Sequence, residues 1–227
     1  MITAYLLPML AVVLGVVLVT VFKHQQKGYL KPLLAFSGAF LLAMTLFELL
    51  PEVYHHLNAK HTGVFIMLGI LLQVILEFFS KGAEHGHIHI HQHNNKFPWL
   101  LFLSLCLHSF LEGFPIHEHN DMVYGVLIHK IPIAMLITSF LVQSKFSKIQ
   151  MVIFLTLFGL MTPIGTFISN QVDMNETLLL SIHALVIGIF FHIATIILFE
   201  NEAGHNHKLS YSKLIAILLG IGIAYII

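Results

Sequence analysis

The sequence predicts an all-α integral membrane protein with eight transmembrane helices, and three observations predict it. Of 227 residues, 57% are hydrophobic and 10% charged, with a mean hydropathy of +0.88. A water-soluble domain is about 45–50% apolar and about 25% charged, so this chain has too little charge to cover a soluble surface. The apolar residues also fall into eight runs, each near the ~20 residues that a helix needs to cross the hydrocarbon core. Finally, these runs do not alternate apolar and polar positions as the strands of a membrane barrel do.

The first run, Ile2–Phe22, has no basic segment before it and is followed by Lys23, so it reads as a retained helix with its N-terminus outside, not as a cleaved signal peptide. The second, Pro32–Leu50, lies between Lys31 and Pro51-Glu52. The third, Gly63–Phe79, is short and would need little tilt. The fourth, Phe97–Ile116, and fifth, Met122–Val142, hold most of the intramembrane ionisable residues. The sixth, Ile149–Ile168, carries Thr162-Pro163, and the seventh, Leu178–Phe199, carries His183 and His192. The eighth, Tyr211–Ile227, is again short. The longest connection has about 17 residues, between runs three and four, so residues 1–227 read as one transmembrane domain without a soluble one. Gly38, Phe40, Thr45 and Glu52 of run two align with Gly188, Phe190, Thr195 and Glu202 of run seven. That spacing is either an internal repeat of the kind found in transporters or coincidence in a biased composition.

Charge gives the orientation. The 11 cationic residues are all lysine and balance 11 carboxylates, which gives no sign of a nucleic-acid partner. Lys23, Lys27, Lys31, Lys81, Lys96, Lys145, Lys148, Lys208 and Lys213 flank odd-numbered loops, Lys60 lies in an even one, and Lys130 is inside a span. By the positive-inside rule the odd loops are cytoplasmic and both termini lie outside. The single cysteine, Cys106, excludes an internal disulfide and reads as packing.

Histidine is the unusual residue, with 17 copies. Run four reads His108-Ser109-Phe110-Leu111-Glu112-Gly113, and run five reads His129-Lys130-Ile131-Pro132-Ile133. His108 and Glu112 are four apart and share a helix face. A carboxylate in hydrocarbon costs at least ~2.5 kcal/mol even on mild insertion scales, so it should face a partner or a cavity. Two imidazoles and a carboxylate suit a divalent transition ion such as Zn²⁺; the bland reading is a His–Glu hydrogen bond that pins two helices. Gly113, Pro115 and Pro132 loosen the helices nearby, as at the ion sites of transporters. Lys130 either pairs with Glu112 or snorkels to an aqueous cavity, and it argues against a second ion beside the first.

Other histidines lie at both ends of the spans. His85, His87, His89, His91 and His93 follow Glu84 in the third loop (about residues 81–96), on the expected cytoplasmic side. They read as a metal-binding stretch, an adventitious one, or a solvated linker. Glu200, Glu202, His205 and His207 share that side. Glu48, Glu52, His55, His56 and His61, with His117, Glu118, His119 and Asp121, lie at the other. His183 and His192 are nine residues apart and face opposite sides of one helix. Glu77 lines an exit or reaches the interface.

Together these residues resemble the ZIP (Zrt-, Irt-like) family of metal-ion transporters. His108-Ser109-Phe110-Leu111-Glu112-Gly113 resembles that family's fourth-helix His-x-x-x-Glu-Gly, and His129-Lys130 the His-Lys start of the fifth helix in one branch. Glu48-Leu49-Leu50-Pro51-Glu52 resembles the end of its second helix, and Thr162-Pro163-Ile164-Gly165 its sixth-helix Pro-x-Gly. The resemblance covers the whole chain. It implies a 3+2+3 bundle that moves divalent metal, usually zinc, into the cytoplasm, with His108, Glu112 and His129 as ligands. It puts Ser109 and Lys130 where binuclear members hold a second metal. Ile133 stands where many members have a fifth-helix Glu, which with Lys130 favours one metal over two.

The expected function is therefore a divalent-metal importer, with zinc or a similar transition ion as the transported species and no organic cofactor. Its partners are the metal ion and the lipid bilayer, with a homodimer left open, and its place is the cell (plasma or inner) membrane. Two alternatives are a transport-dead metal sensor, motivated by Ile133 and Lys130, and a membrane-embedded metallohydrolase. The latter lacks an HExxH helix and a GxSxG elbow, so an enzyme is not expected.

Overall fold

The computed structural model describes residues 2–21, 26–80, 99–116, 121–144, 146–199 and 211–227. Among them all regular structure is helical: α1 (Ile2–Val21), α2 (Gln26–Met44), α3 (Leu50–His56), α4 (Ala59–Ser80), α5 (Trp99–Leu111), α6 (Met122–Gln143), α7 (Lys148–Gln171), α8 (Glu176–Phe199) and α9 (Tyr211–Ile226). Seven segments are long and apolar enough to cross a membrane; α9, with 16 residues, is a shorter apolar helix. The chain is a multi-pass membrane protein built from helices.

Its surface is the reverse of a soluble protein's. Ile2, Phe78, Ile149, Val152 and Leu218 are each more than half exposed, while Glu112, Lys130, His108 and His129 are buried. An apolar exterior matches lipid, which competes for no hydrogen bonds, and the polar groups gather where helices can satisfy one another.

Two boundaries differ from the expected ones. The second span does not stop before Pro51 but continues as Leu30–His56, 27 residues. Pro51 has no N–H and its ring crowds the preceding turn. A π turn at Thr45–Leu49 widens the helix just ahead of it, and the Leu50 N–H bonds back to the Thr45 carbonyl. The third span is longer than Gly63–Phe79, because helix α4 starts at Ala59 and carries Lys60, His61 and Thr62 in its first turns. Asn58 starts it: its side-chain Oδ1 accepts from the Lys60 N–H at 2.9 Å and its carbonyl from the Thr62 N–H at 2.9 Å.

Small residues set the packing. α4 lies on α8, where a Cβ on Gly69 would collide with the Leu185 carbonyl and one on Gly188 with that of Ile66. Only glycine allows backbones this close, the usual device where no hydrophobic effect drives helices together. α9 packs on α2, α1 on α6 and α7, and α5 on α7 and α4. The α4–α8 and α2–α9 contacts are the pairs expected to match if spans two and seven, and three and eight, are equivalent.

Candidate metal site

The site begins with a broken helix. α5 ends at Leu111; the Glu112 N–H still bonds to the His108 carbonyl at 3.0 Å, but the Gly113 N–H reaches Phe110 at 3.2 Å, and Phe114–Ile116 forms a tight 3₁₀ turn. Gly113 is a poor helix former, and Pro115 disfavours helical backbone at Phe114. Inside a membrane the freed carbonyls need donors, and α7 supplies them. Thr166 Oγ1 donates to the Gly113 carbonyl at 2.9 Å and Ser169 Oγ to that of Phe114 at 3.2 Å. The approach is close because a glycine stands on each side. A Cβ on Gly165 would strike the Phe110 carbonyl, and one on Gly113 that of Thr162. This contact brings the Thr162 side chain over Glu112.

Glu112 is the hub. Its Oε1 accepts from Lys130 Nζ of α6 and from Thr162 Oγ1 of α7, the latter at 2.6 Å. Its Oε2 lies 3.4 Å from Nε2 of His108. The Lys130 ammonium also donates to Ser109 Oγ at 2.8 Å and to Thr162 Oγ1 at 2.7 Å, and sits 4.5 Å from the centre of the Phe158 ring. The Lys130 and Glu112 side chains are each 1% exposed, so of the two options for Lys130 the fold takes pairing with Glu112. His129 precedes Lys130 on α6, and its ring stands 6.1 Å from that of His108 at an interplanar angle of 85°. Ile133 is 3% exposed and joins an apolar cluster with Leu105 and Phe158.

His108, Ser109, Glu112, His129 and Lys130 thus share one buried region. Their arrangement is that of an ion pair with histidines beside it. Among the described residues no three His, Cys, Asp or Glu side chains converge on a point that would hold a metal. Thr162 and Phe158 complete the site and were not among the expected residues. A hydroxyl directly before an intramembrane proline was the available signal for Thr162; nothing in the sequence pairs Phe158 with Lys130.

The remaining polar residues are dispersed. His192 Nε2 and Glu77 Oε2 are 2.7 Å apart across α8 and α4, so Glu77 binds a neighbouring helix. His61 Nε2 meets Ser181 Oγ at 2.9 Å, and His56 Nδ1 lies 3.5 Å from Glu176 Oε1 at the surface. Cys106 is buried as a free thiol. His85, His87, His89, His91 and His93 lie outside the described residues, as do His117, Glu118, His119, Glu200, Glu202, His205 and His207.

Comparison with known proteins gives the site its context. Residues 80–227 match the family described as ZIP Zinc transporter. The chain is 27% identical over 152 residues to Zinc transporter ZIP1 of Danio rerio, covering 62% of this chain and 50% of that one. It is 26% identical to Zinc transporter ZIP1 of Takifugu rubripes over 152 residues, with the same coverage. It is also 26% identical to Protein zntD of Dictyostelium discoideum over 167 residues, covering 62% of this chain and 24% of that one. The chain spans about half the length of the ZIP1 relatives it matches. The family match contains α5, α6 and α7, the three helices that build the buried ion pair, and extends over well more than half of the chain: the protein belongs to the ZIP zinc transporter family.

Proposed function

We propose that this protein carries a divalent metal ion, zinc or a close relative, across the cell membrane into the cytoplasm, with His108, Glu112 and His129 as the ligands of the moving ion. The observation that carries the reading is a carboxylate and two imidazoles buried side by side within a membrane bundle, with His108 and Glu112 where their helix breaks and His129 on the neighbouring α6. Ionisable groups there are expensive and mark ion paths, and broken helices at mid-depth are where transporters place their sites. His108 and His129 need a rotation of their rings, and Glu112 an exchange of partner, to meet on one ion. The lysine asymmetry of the loops says which face is cytoplasmic, and the inward direction is the one that the ZIP resemblance implies. His85, His87, His89, His91 and His93, on the cytoplasmic side, would receive the ion. Membership in a transporter family and the lack of a hydrolytic motif speak against catalysis.

Zinc uptake into liposomes holding the purified protein tests this. Glu112→Ala and His108→Ala are expected to lose uptake while the wild type accumulates zinc. Uptake unchanged in either variant refutes the ligand assignment, and zinc binding without flux in the wild type selects the sensor reading.

A further inference from the structure

Metal carriage by His108, Glu112 and His129 gives Lys130 no task, yet with Glu112 it is the most deeply buried Lys, Asp or Glu among the described residues. The ammonium does not reach for water. Its three N–H donors meet Glu112, Ser109 and Thr162, and its fourth neighbour is the Phe158 ring. Thr162 closes the arrangement, accepting from Lys130 and donating to Glu112 Oε1 through one hydroxyl. A cation therefore already sits on the carboxylate that cargo must use.

We propose that Lys130 is a tethered counter-cation that holds Glu112 whenever no metal is bound, so that cargo loads and leaves by cation exchange at that carboxylate. The proposal rests on the transport reading of the same site. Its physical basis is the cost of an unpaired buried charge, several kcal/mol per ion. With Lys130 on Glu112 the pair has no net charge, so an empty carrier can change its access without exposing a bare carboxylate to the low-dielectric interior.

The tether also sorts ions by charge. A monovalent ion offers Glu112 no more charge than the ammonium, which, being on the same chain, competes at an effective concentration in the mM range or above. A divalent ion offers twice the charge and can also use His108, whose Nε2 is 3.4 Å from Glu112 Oε2. An ammonium cannot exploit an imidazole lone pair in the same way while it also fills two hydroxyl contacts. Displacement costs Lys130 its carboxylate but not its other partners, and that cost is part of what a divalent ion must exceed. Ser109 Oγ, Thr162 Oγ1 and the Phe158 ring remain as uncharged partners that can hold the ammonium beside the loaded site.

The test is a zinc titration of the full-length protein, purified in detergent and stripped of metal, read by calorimetry and by unfolding midpoint. Wild type, Lys130→Met, Lys130→Arg and Glu112→Gln are compared. Removing the competitor should make Lys130→Met bind zinc at least about tenfold more tightly than the wild type, whereas Lys130→Arg keeps a cation and should stay near the wild type. Lys130→Met should be fragile without metal and gain more from zinc than the wild type does. Zinc that fails to tighten on, or to stabilise, Lys130→Met beyond the wild type, with binding to Glu112→Gln impaired, overturns the tether alone. Binding to Glu112→Gln as tight as to the wild type overturns the site and the tether together.

Discussion

The Glu112–Lys130 pair makes a sharp stability prediction. Consider the metal-free protein with Glu112→Gln, with Lys130→Met, and with both. The two side chains are each 1% exposed, so water cannot take over for a missing partner. Two unit charges ~4 Å apart attract by roughly 4 kcal/mol at an effective dielectric constant of ~20. Removing one member of a buried pair costs about 3–5 kcal/mol, because the survivor stays buried and charged. The two routes agree, so each single variant should lose on the order of a thousandfold in folding equilibrium. The double variant leaves no charge behind and should return to within about 1 kcal/mol of the wild type, or exceed it. Reversible unfolding in mixed detergent and SDS micelles measures this. Trp99, the only tryptophan, lies at the start of α5 and reports by fluorescence. Single variants within 1 kcal/mol of the wild type, or a double variant no better than the sum of the singles, would refute the reasoning.

Two further outcomes follow from the packing. Gly165→Ala drives a Cβ into the Phe110 backbone, which no rotamer relieves. α5 and α7 should separate, with a loss of about 1–3 kcal/mol and of zinc uptake, both measurable on the purified variant. Glu77→Leu removes a helix–helix hydrogen bond to His192 whose partners are 25% and 14% exposed. Intramembrane bonds of this kind average about 0.6 kcal/mol, so its unfolding midpoint should move far less than that of Glu112→Gln, and uptake should persist.

The spans were legible because each is a local property: ~20 apolar residues in a row announce a membrane helix whatever surrounds them. What escaped depends on neighbours. Pro51 reads as a stop, and only the π turn at Thr45–Leu49 shows how the helix passes it. Lys60 and His61 look like loop residues, yet Asn58 caps a helix that includes them. His108 and Glu112 were legible as a pair because i and i+4 is a helical spacing. Pairing with Glu112 was one of two options legible for Lys130, but Thr162 and Glu112 are 50 positions apart. That contact exists because Gly113, just past α5, and Gly165 of α7 let the two backbones touch, and no spacing along one helix encodes that.

The energetics of this centre decide what kind of feature it is. A buried ion pair rarely adds to stability, since apolar side chains of similar volume in its place are as good or better. The fold nonetheless gives it three helices, two hydroxyls, an aromatic ring and a close glycine contact. A Leu–Leu contact would hold α5 to α6 with none of these. The apparatus therefore does not serve to hold the bundle together. It gives a buried carboxylate a bonded cationic partner at a depth where a bare charge is least tolerable. On the proposed transport reading, that is what moving a cation through the membrane requires, and it accounts for two of the few charged residues in a chain with 10% of them.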